Sequence, residues 1–349
     1  MGATLDSLIE ITIILDSIER SRVGFGTPLF LAQTSQDSLV LQISSSNDID
    51  ELESAGDITS AQAEKLRYGI MQNPRVSTIK LGRKDDGQSY QDALAAVESE
   101  DDEWYGLAID SRSDDDIKEV SQWSETRKKL FLAQSSDSDW LEQNPDQFAF
   151  DGIDDATRTA VYYHPDDSAA LDIANLTNRL AFSPDAQSAP WDGHEVRGVG
   201  TYSISNTELA NIIDKNANVM LPKGAHPRVI DPGTNLDGRP LYEIVTKDWF
   251  TSRLRDRIAR LRVNTANRGE KIPLTESISM VRPIVESVFI EGVAAGHFVA
   301  DQWEVDFQPL SDNDVAERRI RATGGAQNAV SGRRFDLQFN FQQTPVLED

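Results

Sequence analysis

Between residues 25 and 170 the chain changes repeatedly between two hydrophobic periods, and that alternation limits its fold more than any other feature. Val76 to Leu81, Trp104 to Ile109, Leu130 to Ala133 and Thr159 to Tyr163 are short apolar runs of strand length. Helix signals lie between them. Thr59-Ser60-Ala61-Gln62 is a capping box ahead of a helix from Ala61 to Gln72, in which Leu66 and Ile70 lie one turn apart. Asn73-Pro74 stops it. Ser89 caps a helix to about Val97. Ser113 caps another, with Asp114, Asp115 and Asp116 at the positive end of its dipole. Strand, helix, strand, helix, strand predicts an α/β body: a mostly parallel sheet with helices on its faces. Ahead of this, Ser38 to Ile43 reads as a strand. Gly24, Gly26 and Pro28 punctuate a loop, and the acidic run Asp48 to Glu53 suits a solvated helix start.

Beyond the body the pattern changes. Residues 165–200 are rich in Asp, Ser, Pro and Gly and predict a boundary or surface excursion. Ser205 to Asn216 carries Leu209, Ile212 and Ile213 at helical spacing. Lys247 to Asn264 has an apolar stripe of Leu254, Ile258 and Leu261. A helix from Thr275 to about Glu291 is kinked or started near Pro283 and ended by Gly292 and Gly296. Trp303 to Phe307 alternates as a strand. This predicts a mixed α+β C-terminal domain.

Both termini alternate cleanly. Ile9, Ile11 and Ile13 fall on one face of an N-terminal strand. Phe335, Leu337, Phe339 and Phe341 fall on one face of a C-terminal strand, with Gly324-Gly325 and Gly332 before it as flexible joints. Such terminal strands either fold onto their own sheet or add to the edge of a neighbour's.

The charge is one-sided. The 349 residues carry 58 acidic and 34 basic side chains, a formal net charge of −24. That repels nucleic-acid phosphate and anionic membrane, so neither is an expected partner. The acids are 37 Asp against 21 Glu and the bases 10 Lys against 24 Arg. Asp-rich, Lys-poor surfaces suit high salt, where screening tolerates dense like charge; an acidic protein from an ordinary host is the other reading. There is no cysteine, so disulfides and thiolate chemistry are excluded. No apolar run approaches the span of a bilayer, and the first residues lack the basic start of a signal peptide.

Motifs for catalysis are missing. His164, followed by Pro165-Asp166-Asp167, sits just after a strand, but reads more simply as a polar loop residue. His194 near Asp192 is no stronger. There is no HExxH, GxSxG or GxxxxGK[ST]. Gly24-Phe25-Gly26-Thr27-Pro28-Leu29 begins like a dinucleotide fingerprint, but Leu29 stands where the third glycine belongs, and a turn is the better reading. No catalytic residue, cofactor or metal site is expected. Lys247 to Arg262, however, holds six basic and two acidic residues. Arg253, Arg257 and Arg260 share one side, at i, i+4 and i+7. They either pair with the chain's own acids, such as Asp248 and Asp256, or meet an acidic patch on another protein.

Several segments together resemble the contractile-tail sheath proteins of tailed viruses. They are Arg22-Val23-Gly24-Phe25-Gly26-Thr27-Pro28-Leu29, Gln72-Asn73-Pro74-Arg75, Ile79-Lys80-Leu81-Gly82-Arg83, Trp104 to Ser111, Arg127-Lys128-Lys129-Leu130-Phe131 and Tyr162-Tyr163-His164-Pro165. The similarity covers most of residues 5–170 and continues more vaguely to the C-terminus, departing over 175–245. It implies a structural subunit that stacks as hexameric rings around a tail tube and contracts to drive the tube through the host envelope. It implies an N-terminal arm (1–20), an α/β body (21–170), a variable surface region and linker (171–245), a helical and mixed C-terminal sheath domain (246–330) and a C-terminal arm (331–349). The arms would donate strands to neighbours, and Arg253, Arg257 and Arg260 would meet the tube or an adjoining subunit. The implied partners are further copies of the chain, the tail tube protein, and baseplate and tail terminator proteins. The implied location is the virion tail, assembled in the host cytoplasm. The competing expectations are an α/β enzyme or nucleotide-binding protein with a helical cap, its pocket near Asp110 or His164, and another oligomeric virion component.

Overall fold

The strand and helix alternation is realised as a six-stranded sheet covered on both faces. The computed structural model describes residues 8–13, 24–143, 145, 148, 150–317 and 320–329. In chain order the elements are β1 (Leu8–Ile13), β2 (Pro28–Gln33), β3 (Val40–Ile43), α1 (Ser46–Ala55), α2 (Ser60–Ile70), β4 (Ile79–Lys84), α3 (Tyr90–Glu100), β5 (Gly106–Ile109), α4 (Asp114–Glu125), β6 (Leu130–Ser135), β7 (Thr159–Tyr163), α5 (Leu171–Arg179), α6 (Asn206–Asp214), β8 (Val219–Lys223), β9 (His226–Asp231), α7 (Leu241–Asn267), α8 (Leu274–Ala294), β10 (Phe298–Phe307), α9 (Asp312–Glu317) and β11 (Ile320–Asn328).

The body sheet has the order β3-β4-β2-β5-β6-β7, with β3 antiparallel and the other strands parallel. The central strand, β2, is the one the sequence hides. The turn expected around Gly24 is real but short: the Thr27 N–H donates to the Gly24 carbonyl at 2.9 Å, and the strand begins at Pro28. Gly24 is required because a Cβ there would lie 2.6 Å from the Glu103 carbonyl carbon.

Alternate residues of β2 serve opposite faces. Leu29 and Leu31 join Leu107, Phe131, Leu94 and Ile117 in the core beneath α3 and α4. Phe30 and Ala32 join Leu132, Leu66, Ile173 and Leu176 beneath α2 and α5. Helix α5 corrects the surface excursion expected over residues 165–200, because all nine of its residues are buried. Its polar residues concealed this. Thr177 donates to the Gly69 carbonyl at 3.0 Å, Asn178 to the Pro74 carbonyl at 2.8 Å, and Asp172 is held by Arg112 at 2.7 Å. Buried polar groups paired in this way carry no desolvation penalty for a missing partner. The β8–β9 hairpin supplies Met220 and Ile230 to the same core.

The capping signals fare unevenly. Thr59 and Gln62 close a reciprocal box on α2, as Ser45 with Asp48 does on α1 and Ser205 with Glu208 on α6. Ser89 caps α3 through the Asp92 N–H. Ser113 occupies the N-cap of α4 but makes no side-chain cap bond; its own N–H donates to the Ser111 hydroxyl at 3.1 Å.

The C-terminal part has its own core. Trp249, Phe250 and Leu254 of α7 pack with Val281, Val285 and Phe289 of α8 and with Phe298 and Ile320 of an antiparallel sheet of order β1-β11-β10. Helix α8 runs through Pro283 and past Gly292, where a Cβ would lie 2.5 Å from the Phe298 ring. Gly296, at φ +76°, makes the exit. Gly324 and Gly325 are not joints. They lie within β11, opposite Ile9 and Leu8 on one side and Val305 and Glu304 on the other. Helix α7 is tied to the body by a buried fork. Arg158 donates to both Asp248 carboxylate oxygens at 2.7 and 2.8 Å, and the Tyr105 hydroxyl donates to the same carboxylate at 2.9 Å.

Candidate functional site

An open parallel sheet places ligands outside the carboxyl ends of its strands, where the connections reverse direction. Here that point lies between β2, β4 and β5, at Gln33 and Asp110. It is filled by the chain itself. The Asp110 carboxylate accepts from the Gln33 N–H at 3.1 Å, the Gln62 amide at 2.8 Å and the Tyr90 hydroxyl at 2.8 Å. Lys65 donates to the Asp110 backbone carbonyl at 2.6 Å, and burial holds its pKa below the usual lysine range. Tyr90 is pushed up, first by burial and then by the Asp110 charge, which keeps its proton in place. Asp110, Tyr90 and Lys65 are thus each committed to a neighbour. Among the described residues no cluster of three or more His, Asp or Glu is arranged to hold a metal ion.

The histidines are structural or plain surface residues. His164 is buried, receiving the Asp166 N–H at Nδ1 and donating from Nε2 to the Gly200 carbonyl at 3.0 Å. His297 stacks on Trp249 at 4.5 Å, takes the Thr246 hydroxyl at Nδ1 and donates to the Pro184 carbonyl at 2.7 Å. His194 is half-buried with its ring against Asn175, and desolvation of that ring pulls its pKa well below the ordinary value. His226 is exposed beside Glu195.

The arginines of α7 do come together, lining a cleft of about 430 Å³ between α7, α8 and the 183–187 loop. Each also has a carboxylate of its own chain. Arg253 pairs with Asp185 at 2.6 Å, Arg257 with Glu291 and the Ser287 hydroxyl, and Arg260 with Asp256 at 2.9 Å. Intrachain pairing, one of the two readings of this helix, therefore accounts for all three contacts. Arg260 stays largely exposed, at 71% of its side chain. The stripe of Leu254, Ile258 and Leu261 packs inward as expected.

The third candidate surface is the small sheet. Ile9, Ile11 and Ile13 lie on β1, which pairs antiparallel with β11 of the same chain, Ile9 opposite Gly324 and Ile13 opposite Ile320. Strands β1 and β10 are the two edges. Phe335, Leu337, Phe339 and Phe341 lie outside the described residues. The β8–β9 hairpin and β11 escaped sequence reasoning. Prolines in one, Pro222 and Pro227, and paired glycines in the other mimic loop punctuation, and only their partners reveal them.

Comparison with solved structures finds likeness along the full length. A chain of the anti-feeding prophage helical sheath in its contracted state matches with a TM-score of 0.63 and 14% identity, covering 98% of this chain and 100% of that one. This chain has the fold of a contractile-sheath subunit. The contracted sheath complex of an extracellular contractile injection system, PVC, gives a TM-score of 0.62 at 12% identity, covering 98% of each chain. A chain in the sixfold-symmetrised anti-feeding prophage baseplate gives 0.63 at 13% identity, covering 98% of this chain and 99% of that one. No family model matches the chain, and no curated protein matches it.

Proposed function

We propose that this chain is the subunit of a contractile sheath, a structural protein of a viral tail or tail-like injection particle and not an enzyme. The observation that carries this reading is end-to-end likeness to a contracted helical sheath, at 98% and 100% coverage, in a chain whose sheet crevice is filled by its own side chains. Subunits stack as hexameric rings around an inner tube and contract to drive it forward. Heterologous contacts between identical subunits generate such rings and helices. The links between subunits are strands from both termini. The β1–β11 register is the pairing that an exchanged N-terminal arm keeps against a neighbour's β11, and residues 334–342 add to a further edge. Backbone pairing persists while the bodies rotate, so the contacts between bodies are free to exchange one set for another. The exposed side of α7 at Arg260, with Arg253 and Arg257 beside it, meets the tube or an adjoining subunit.

Negative-stain microscopy of the purified protein tests this directly. Hollow cylinders wider than a bare tail tube are expected. Removal of residues 331–349 is expected to leave a folded subunit that forms none, because β11 ends at Asn328 and the Ala329 N–H already closes on His297. Normal cylinders from the truncated protein would remove the C-terminal arm from the mechanism. Two of the matched chains come from baseplate structures, so a ring seated against a baseplate is the second reading. Short stacks that form only with baseplate proteins would favour it.

A further inference from the structure

Arg179, the last residue of α5, is 8% exposed and forms no ion pair with a carboxylate among the described residues. Its acceptors are neutral: the Asn178 side-chain oxygen, taken by Nε at 2.9 Å and also by Nη2, and the Pro190 carbonyl, taken by Nη1 at 2.9 Å. A guanidinium has five N–H donors, so two remain without an acceptor among the described residues. The Phe182 ring lies 4.8 Å from the guanidinium carbon and adds a face, not a charge. Arg112 and Arg158, by contrast, close on carboxylates, those of Asp172 and Asp248.

A small cavity adjoins this unmatched charge. It leaves about 20 Å³ for the centre of a water-sized sphere, and Arg179, Ser188, Gln187 and His297 line it together with Phe182 and Trp191. A water needs roughly 10–15 Å³ by that measure, so the space has room for one small species. The polar side chains of the lining are Arg179, the Gln187 amide, the Ser188 and Tyr242 hydroxyls, and His297, which already spends its Nε2 proton on Pro184. No carboxylate lines it.

We propose that this cavity is a binding site for one small monovalent anion, chloride being the physiological case, held by the two spare N–H groups of Arg179 and the hydroxyl of Ser188. The cation supplies the charge, and Phe182 and Trp191 supply an apolar wall beside it. The chain's electrostatics agree. Burial draws the Arg179 pKa down to about 10 although the Tyr162 and Asp192 charges oppose it, and the guanidinium charge helps to depress His194. A bound anion relieves both. It also gives salt a site-specific way to stabilise an acidic protein, distinct from general screening. This inference is independent of the sheath reading.

Urea unfolding of the intact subunit in sodium chloride and in sodium gluconate at equal concentrations is the test. Wild type is expected to gain a chloride-specific increment, each tenfold rise above the dissociation constant adding ~1.4 kcal/mol to the unfolding free energy. Arg179→Met is expected to lose that increment and keep the response to gluconate. Wild-type curves that coincide in the two salts overturn the proposal. A variant too unstable to measure leaves a second, wild-type measurement: bromide-soaked crystals at the bromine absorption edge. An anomalous peak between Arg179 and Ser188 is expected. A cavity holding only water overturns the site.

Discussion

Replacing Asp248 by Asn isolates the fork that fastens α7 to the body. Asp248 is 4% exposed and the Arg158 side chain 13%, so removal of the carboxylate charge leaves a guanidinium that water cannot reach freely. Two charge-assisted bonds at 2.7 and 2.8 Å are lost or weakened, at roughly 1.5–3 kcal/mol each, and the Tyr105 hydroxyl meets a poorer acceptor. That sum overlaps the roughly 3–5 kcal/mol measured when one partner of a buried pair is deleted. Asp248→Asn should therefore lower the unfolding free energy by about 3–4 kcal/mol in urea titrations followed by tryptophan fluorescence, to which the neighbouring Trp249 reports. The double change Asp248→Leu with Arg158→Met removes both charges and keeps the bulk. It should recover part of the loss, because well-packed apolar replacements of buried pairs are commonly neutral or better, while the buried Tyr105 hydroxyl is left without its acceptor. A loss below about 1 kcal/mol for Asp248→Asn, or a double variant no better than the single, would refute the claim that this pair is buried and mutually dependent.

Three further outcomes are expected. The Asp114 carboxyl is raised from 3.8 to about 6, by burial first and then by the Asp137 charge, so between about pH 4 and 6 the folded chain holds a proton there that the unfolded chain has released. Its contribution is therefore fully present below about pH 4 and lost as pH rises through 6, and Asp114→Asn should raise the melting temperature at pH 7.5 but not at pH 4. Gly106→Ala places a methyl 2.4 Å from the Leu176 side chain and 2.8 Å from Leu180, and should cost about 1–3 kcal/mol by calorimetry through separation of α5 from β5. Arg260→Glu breaks only an exposed i,i+4 pair with Asp256, so subunit stability should fall by no more than about 0.5 kcal/mol while cylinder assembly around tubes weakens; unchanged assembly would remove Arg260 from the contact face.

What the sequence disclosed follows the range of the forces involved. Capping boxes and apolar periods act within a few residues, so α2, α3, α6, β6 and β7 could be placed from the chain alone. Helix α5 could not. Asp172, Asn175, Asn178 and Arg179 read as surface residues until Arg112, Tyr162, Pro74 and Pro190 are brought to them from elsewhere. β11 was hidden for the converse reason. Gly324 looks like a joint in sequence, yet a Cβ there would meet the Glu304 carbonyl at 2.9 Å, so the glycine serves strand approach. At Asp110 the residue types resembled a site, and only the contacts revealed that the crevice was filled. The arginines of α7 were legible as a face, but their acids on α8 and the 183–187 loop were not, because Asp185 and Glu291 lie far away in sequence.

That last point changes how the α7 surface works. A local excess of six basic over two acidic residues suggested a positive patch in a chain of net charge −24. In the fold, Arg253, Arg257 and Arg260 line one cleft with Asp185, Asp256 and Glu291, so the charges balance there. A near-neutral, arginine-studded face is a better place for identical acidic subunits to meet than an open positive one, which its own acidic neighbours would fill. Elsewhere on the surface, copies repel over the roughly 8 Å that physiological salt leaves unscreened. Strand addition avoids that repulsion, because the hydrogen bonds of a sheet edge are made by backbone atoms and do not depend on the sign of the side chains. In the assembly proposed above, an acidic chain has two kinds of surface open to it, self-neutralised faces and strand edges, and helix α7 and the β1-β11-β10 sheet are the proposed example of each.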